Sequence, residues 1–571
     1  MKKVKLIIKT TLKNLDYRAQ LIIIGIVVGI FSGFASVALN FGLWKVSHYL
    51  IKFRDNLYFI LLPVIGILLT VLFLKYVIRD FGGHGVPEVI YSVSMKGGLL
   101  KKRSYVSKLI GSLLTISSGG SAGPEAPVII SGAAIGSNIA KYLKTNDKIR
   151  IAAAGSGAAG AIAAIFNAPI AGIIFTMEVI LGEWSTLNML PVAISSVTAT
   201  VISRILNGNQ IPFKHHLINV NINDIFAAAG LSVFLAIFAL FFVRTLKWVK
   251  LFFEKSIKSI VLRAIFGGLV VGVIILFFPY VKGEGYELVR ILISGEFSNT
   301  LLVIFVLIVM KIVATSFTLG SGGAGGVFAP CLVIGSLSGY FYFQLLSLVF
   351  PQAQFSGSTL FALSGMAGIL SGTLQAPLTG IFLIVEMTGG YDVILPLLLV
   401  SFLTLTITKL VEKYSIYQYD LAQKGYLLRP RTDARILSDI NAEELLEKDL
   451  IPVNSEMLLK DLIPLIKKSH RNYFPVEDKK TGKFLGMVNF NDIKSYIFSS
   501  DLLNSIIVEE IMDTDFQQVS IKDNVVNILN KFDQSRAWSL PVVEDDKFLG
   551  LISKSTILDH YRKELKAQTE S

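Results

Sequence analysis

From Ile312 to Val385 the chain carries no Lys, Arg, Asp or Glu, yet Gly and Pro interrupt the run repeatedly. It is too long for one helix and too apolar for a water-facing surface, so it must hold several helices in a largely non-aqueous setting. Shorter charge-free runs occur at Leu21–Trp44, Leu57–Leu74, Ile225–Val243 and Ala264–Val281. Each is long enough to cross a hydrocarbon core of about 30 Å at about 1.5 Å per residue. Over 571 residues, 53% are hydrophobic and only 17% charged, against about a quarter charged in soluble domains. The pattern predicts a polytopic all-α membrane protein. Leu21–Trp44 has no small-residue cleavage site behind it and reads as a retained helix.

The formal charge of +13 invites a nucleic-acid reading, but its distribution opposes one. Lys2, Lys3, Lys5, Lys9, Lys13 and Arg18 sit just ahead of the first apolar run, where the positive-inside rule puts them in the cytoplasm. The expected partner is the lipid bilayer. A single cysteine, Cys331, excludes an intrachain disulfide and reads as a small packing residue.

Composition changes after about Thr408, and charges return regularly from Gly425 onward. This divides the chain into a membrane domain, 1–425, and a soluble domain, 426–571. Both are internally repeated. In the first, Gly119–Gly136 (GGSAGPEAPVIISGAAIG) matches Gly322–Gly339 (GGAGGVFAPCLVIGSLSG) without gaps, and Gly157–Val179 matches Gly365–Met387. The second match pairs Asn167 with Gln375, Pro169 with Pro377 and Glu178 with Glu386. The repeat halves span about 20–206 and 223–411. Repeated apolar segments interrupted by Gly and Pro point to a transporter built from broken helices, with its site at the breaks.

Three Gly-rich segments each open a helix-like run: Gly82–Glu88 (GGHGVPE), Ser121–Pro127 (SAGPEAP) and Ala324–Pro330 (AGGVFAP). Gly permits close backbone approach and Pro suits the first helical turn. Each start presents free N–H groups and about half a positive charge, so several converging make an anion site the ion can also leave. Glu125 is the only charged residue between Lys108 and Lys141. A lone intramembrane carboxylate at the third position of a helix start can fold onto the N–H groups that would hold an anion. Ionised, it competes with the anion; protonated, it swings away. Glu178 and Glu386 occupy matched repeat positions at the ends of apolar runs, which favours a shared capping or anchoring role.

Together these residues resemble the CLC family of chloride channels and chloride/proton exchangers. Gly83–Pro87 (GHGVP), Gly123–Pro127 (GPEAP), Gly326–Pro330 (GVFAP) and Ser415–Gly425 (SIYQYDLAQKG) match the family's loops in order. The resemblance implies an all-helical inverted-repeat fold, a homodimer with one pore per subunit, and cytoplasmic termini in the cell membrane. It implies Glu125 as the gating glutamate, and anion contacts from Gly83, His84, Gly85, Val86, Gly123, Pro124, Ala126, Gly326, Val327 and Phe328 and from the Tyr417 hydroxyl. His84 stands where the family usually has serine, which bears on the choice among chloride, nitrate and fluoride. Pro124 and Ala126 replace the usual Arg and Gly. Exchangers of the family commonly carry two adjacent glutamates where this chain has Glu178–Val179, the second of which relays protons from inside. Here that position is Val179, which cannot carry a proton: either the chain is a passive channel, the reading favoured, or a water wire replaces the relay in an exchanger.

The soluble domain resembles a CBS pair, with motifs at about 446–500 and 508–566. Val453/Val519, Ser469/Ser535, Pro475/Pro541 and Val476/Val542 share one offset. Such pairs often bind adenine nucleotides through a Gly-h-h-Ser/Thr-x-x-Asp element, with h apolar. The first copy has Asp492 but Asn489 in the hydroxyl position; the second has Ser553 but Thr556 in place of Asp. Dimerisation or a gating contact is therefore the default role, with nucleotide binding the alternative. No cofactor is expected to be required. A divalent-cation transporter would need clustered carboxylates, a CBS sensor without transport leaves the broken-helix repeat unexplained, and no nucleophile–base set or metal cluster suggests an enzyme.

Overall fold

The computed structural model describes residues 16–50, 57–79, 85–424, 426, 437, 440–469, 471–535 and 537–569. Two compact units divide the chain, Met1–Leu427 and Leu428–Ser571.

In the first unit the repeat extends to every main helix. The first half runs α1 (Tyr17–Leu50), α2 (Leu61–Leu72), α3 (Val86–Met95), α4 (Ser104–Ser117), α5 (Glu125–Leu143), α6 (Asp147–Phe166), α7 (Pro169–Phe175) and α8 (Thr186–Asn207). The second runs α9 (Ile222–Ser256), α10 (Ile260–Phe277), α11 (Tyr286–Ser294), α12 (Leu301–Gly320), α13 (Phe328–Val349), α14 (Ser358–Leu374), α15 (Pro377–Thr388) and α16 (Ile394–Val411). Long helices match long ones: α1 has 34 residues and α9 has 35. Among the described residues nine helices are long and apolar enough to cross a membrane.

The shared glycines explain the closest helix contacts. A Cβ on Gly136 would lie 1.9 Å from the Ala153 carbonyl oxygen, and one on Gly339 would lie 1.8 Å from that of Phe361. So α5 packs backbone to backbone on α6, and α13 does the same on α14, the small-residue packing that membrane helices use where no hydrophobic force separates them from lipid. Asn167 and Gln375, also matched, both end their helices in the left-handed conformation (φ 56° each). Pro169 and Pro377 then restart α7 and α15.

Glu178 and Glu386 close the repeat reciprocally. The Glu178 carboxylate accepts from the Leu378 and Thr379 amides (3.3 and 2.9 Å) at the start of α15. Glu386 accepts from the Ile170 and Ala171 amides (3.0 and 2.8 Å) at the start of α7. Each half thus supplies the anionic cap that satisfies orphan donors in the other.

The second unit holds two small α/β modules. In one, β1 (Val453–Asn454) pairs in parallel with β2 (Tyr473–Glu477), which pairs antiparallel with β3 (Phe484–Asn489). In the other, β4 (Ser539–Glu544) and β5 (Lys547–Ser553) form the hairpin. Val453 faces Val476, and its counterpart Val519 faces Val542. Both hairpins shift register at the same point, after Val476 and after Val542. Each module has its own apolar core, around Leu462, Val476 and Val488 in one and Ile528, Phe532 and Val542 in the other.

Candidate functional site: a buried carboxylate between two cavities

The loops that open α5 and α13 meet head to head. Gly123 N donates to Gly326 O (2.9 Å) and Gly326 N to Gly123 O (2.7 Å), an antiparallel bridge between the two repeat motifs. It brings the starts of both helices together, so two helix N-termini, each about half a positive charge, bear on one spot.

Glu125 sits there, fully buried, as the first helical residue, because Pro124 takes the cap position. Sequence spacing had placed it two residues further in. Its Oε1 accepts from the Tyr286 hydroxyl at 2.7 Å. Its Oε2 has no hydrogen-bonded partner among the described residues, although the Ala329 amide and Lys311 act on the carboxylate electrostatically. The Tyr286 hydroxyl thus holds one oxygen, while the carboxyl also lies against the Ala329 amide near the start of α13. Gly123 is glycine for this reason: a Cβ there would lie 1.9 Å from Oε2.

Cavities flank the carboxylate. One, of about 490 Å³, is lined by Gly85, Ala126, Gly326, Val327 and Tyr417 with Lys108, Lys247, Lys250 and Arg263. The other, of about 230 Å³, is lined by Pro124, Phe166, Phe213, Glu284, Tyr286 and Arg290. Pro124 faces one and Ala126 the other, so Glu125 stands at the partition. Phe328 is buried beside it, its ring 5.3 Å from Phe175 and 6.0 Å from Phe166. The Tyr417 hydroxyl is buried on the larger cavity with no hydrogen-bond partner among the described residues, which leaves a donor free for an anion.

The structure therefore gathers Gly85, Val86, Gly123, Pro124, Glu125, Ala126, Gly326, Val327, Phe328 and Tyr417 around one partition; Val86 opens α3 and is fully buried. Gly83 and His84 lie outside the described residues. Val179 is buried in a π-helical turn, Thr176–Leu181, that follows α7. In the tail, Asp492 is exposed on a short helix, Phe490–Ile493. The Ser553 hydroxyl is already engaged, donating to Glu447 Oε1 at 2.7 Å, and Glu447 is also paired with Arg471.

Three buried or partly buried residues of the site were not found from sequence. Lys311 is fully buried in α12, and its ammonium donates to the carbonyls of Val281 and Gly283 at 2.9 Å each. Tyr286 and Glu284 follow in the loop it holds. The available signal was the one that exposed Glu125: Lys311 is the lone charge between Glu296 and Glu386. It is also the repeat counterpart of Lys108, each lying seventeen residues before Glu125 or Phe328.

Two matched sets of broken helices around a buried carboxylate define a multi-pass, inverted-repeat membrane fold. A family model, "Voltage gated chloride channel", matches residues 66–409, and the CBS domain model matches 442–499 and 508–563. The chain belongs to this CLC family, which transports chloride, and carries a CBS pair in its tail. It is 30% identical over 352 residues to the H(+)/Cl(-) exchange transporter ClcA of Vibrio cholerae serotype O1 (strain M66-2), covering 59% of this chain and 73% of that one. Its fold is shared with a slow cyanobacterial Cl-/H+ antiporter (TM-score 0.64, 24% identity, 72% of this chain and 99% of that one). A eukaryotic CLC transporter matches with a TM-score of 0.63 at 18% identity, over 95% of this chain and 98% of that one.

Proposed function

We propose that this chain is a proton-coupled chloride exchanger gated by Glu125, working as a homodimer in the cell membrane with both termini cytoplasmic. The observation that carries the reading is the placement of Glu125 between two cavities, with one oxygen held by Tyr286. Likeness to relatives named as H(+)/Cl(-) exchangers supports exchange over the passive channel that Val179 suggests. Val179 removes one side-chain route for protons from the inside; it does not remove a water route, and it leaves the side of the smaller cavity untouched.

Ionised, Glu125 lies on the helix N-termini and competes with chloride. Protonation cancels that attraction, and the carboxyl swings off to admit the anion. Val327 and Phe328 supply amides from α13, Gly85 and Val86 from α3, and Tyr417 a hydroxyl. Flux therefore rises as pH falls. For the tail we propose dimerisation, since Ser553 is held by Glu447 instead of standing open to a nucleotide.

In liposomes, Glu125→Gln should conduct chloride with no pH dependence and no proton movement. Flux that still rises at low pH in this variant would remove Glu125 from the gate.

A further inference from the structure

The loop that opens α11 repeats the loop that opens α3: Gly83-His84-Gly85-Val86 corresponds to Gly283-Glu284-Gly285-Tyr286. Gly85 and Gly285 share left-handed backbone (φ 68° and 87°). Where the first loop has histidine in sequence, the second has glutamate. That carboxylate lines the smaller cavity together with Tyr286 and Arg290.

The loop is pinned. Lys311 donates to the carbonyls of Val281 and Gly283, and the Gly283 amide donates to Gly119 O at 3.2 Å. Tyr286 is the link: its side chain lines the cavity, and its hydroxyl also holds Glu125 Oε1 at 2.7 Å. The charged and titratable groups around Glu284 are Glu125 from α5, Tyr286 and Arg290 from α11 and Lys311 from α12, and Glu284 interacts electrostatically with each. Two carboxylates thus share the field of one buried ammonium, an arrangement in which a proton on one is favoured by charge on the other.

Resting on the exchange reading above, we infer that Glu284 is the proton-loading residue of the gate, collecting protons from the smaller cavity and passing them to Glu125 through the Tyr286 hydroxyl. In the transfer the Glu284 O–H bond breaks and its proton reaches the phenol oxygen through cavity water. The phenol proton meanwhile moves to Glu125, so Glu284–COOH with Glu125–COO⁻ becomes Glu284–COO⁻ with Glu125–COOH. Hydronium in the cavity then reprotonates Glu284. Lys311 is a positioning residue that fixes the loop.

The test is parallel measurement of chloride and proton flux by the full chain in liposomes. Glu284→Gln should lower protons moved per chloride at least about tenfold, the range a lost proton-transfer group covers. Glu284→Asp should restore most of the ratio, and Tyr286→Phe should lower it as well. A wild-type ratio in Glu284→Gln overturns the inference. Should the wild type itself move no protons, the exchange reading falls instead. The inference, which rests on that reading, then falls with it.

Discussion

Glu125 and Lys311 show how far single residues carry the argument. Glu125 was legible because an isolated carboxylate in an apolar stretch is expensive unless it works. Lys311 obeys the same logic but stands at the edge of the long charge-free run, where it reads as a boundary. Glu284 was hidden by its neighbours, since Lys282 and Glu287 make the loop look solvated in sequence. Only the fold brings that loop to Glu125. Gly123→Ala tests the packing of the carboxylate directly. With 1.9 Å between the new Cβ and Oε2, Glu125 must leave its resting place, and chloride flux at neutral pH should rise toward that of Glu125→Gln. Flux unchanged from wild type would mean the carboxylate does not rest there. His84→Ser bears on selectivity: the chloride, nitrate and fluoride permeability order should change if the imidazole meets the anion, and an identical order means its ring turns away.

Among the elements, the repeat was legible where Gly and Pro recur, because backbone contact and helix starts demand those residues. The pairing of α1 with α9, or α2 with α10, was not, since lipid-facing helices need only be apolar and keep no fixed residues. The reciprocal caps lay between: sequence gave Glu178 and Glu386 matched places, and the fold adds that each caps the other half's helix. Removing one cap should loosen both halves. Glu178→Ala leaves the Leu378 and Thr379 amides unpaired and should cost about 1–3 kcal/mol, read as a lower midpoint in thermal unfolding in detergent. Gly136→Leu should cost more, because the Ala153 carbonyl lies where its Cβ would be, and overpacking alone costs about 1–3 kcal/mol. If Gly136→Leu unfolds at the wild-type temperature, the backbone-to-backbone contact of α5 and α6 is wrong.

For the molecule as a whole, the division into membrane and soluble parts followed from where charge returns, and the family from four loops in order. The kind of transport did not follow. One residue, Val179, argued for a channel, whereas Glu284 lines the smaller cavity and Tyr286 joins that cavity to Glu125, groups that a reading of position 179 alone does not contain. The direct test is the reversal potential of the reconstituted chain under opposed chloride and pH gradients. Exchange requires a reversal displaced from the chloride Nernst potential and moving with the pH gradient, with the displacement abolished in Glu125→Gln. A wild-type reversal that stays at the chloride Nernst potential, whatever the pH gradient, would contradict proton coupling and leave a passive channel.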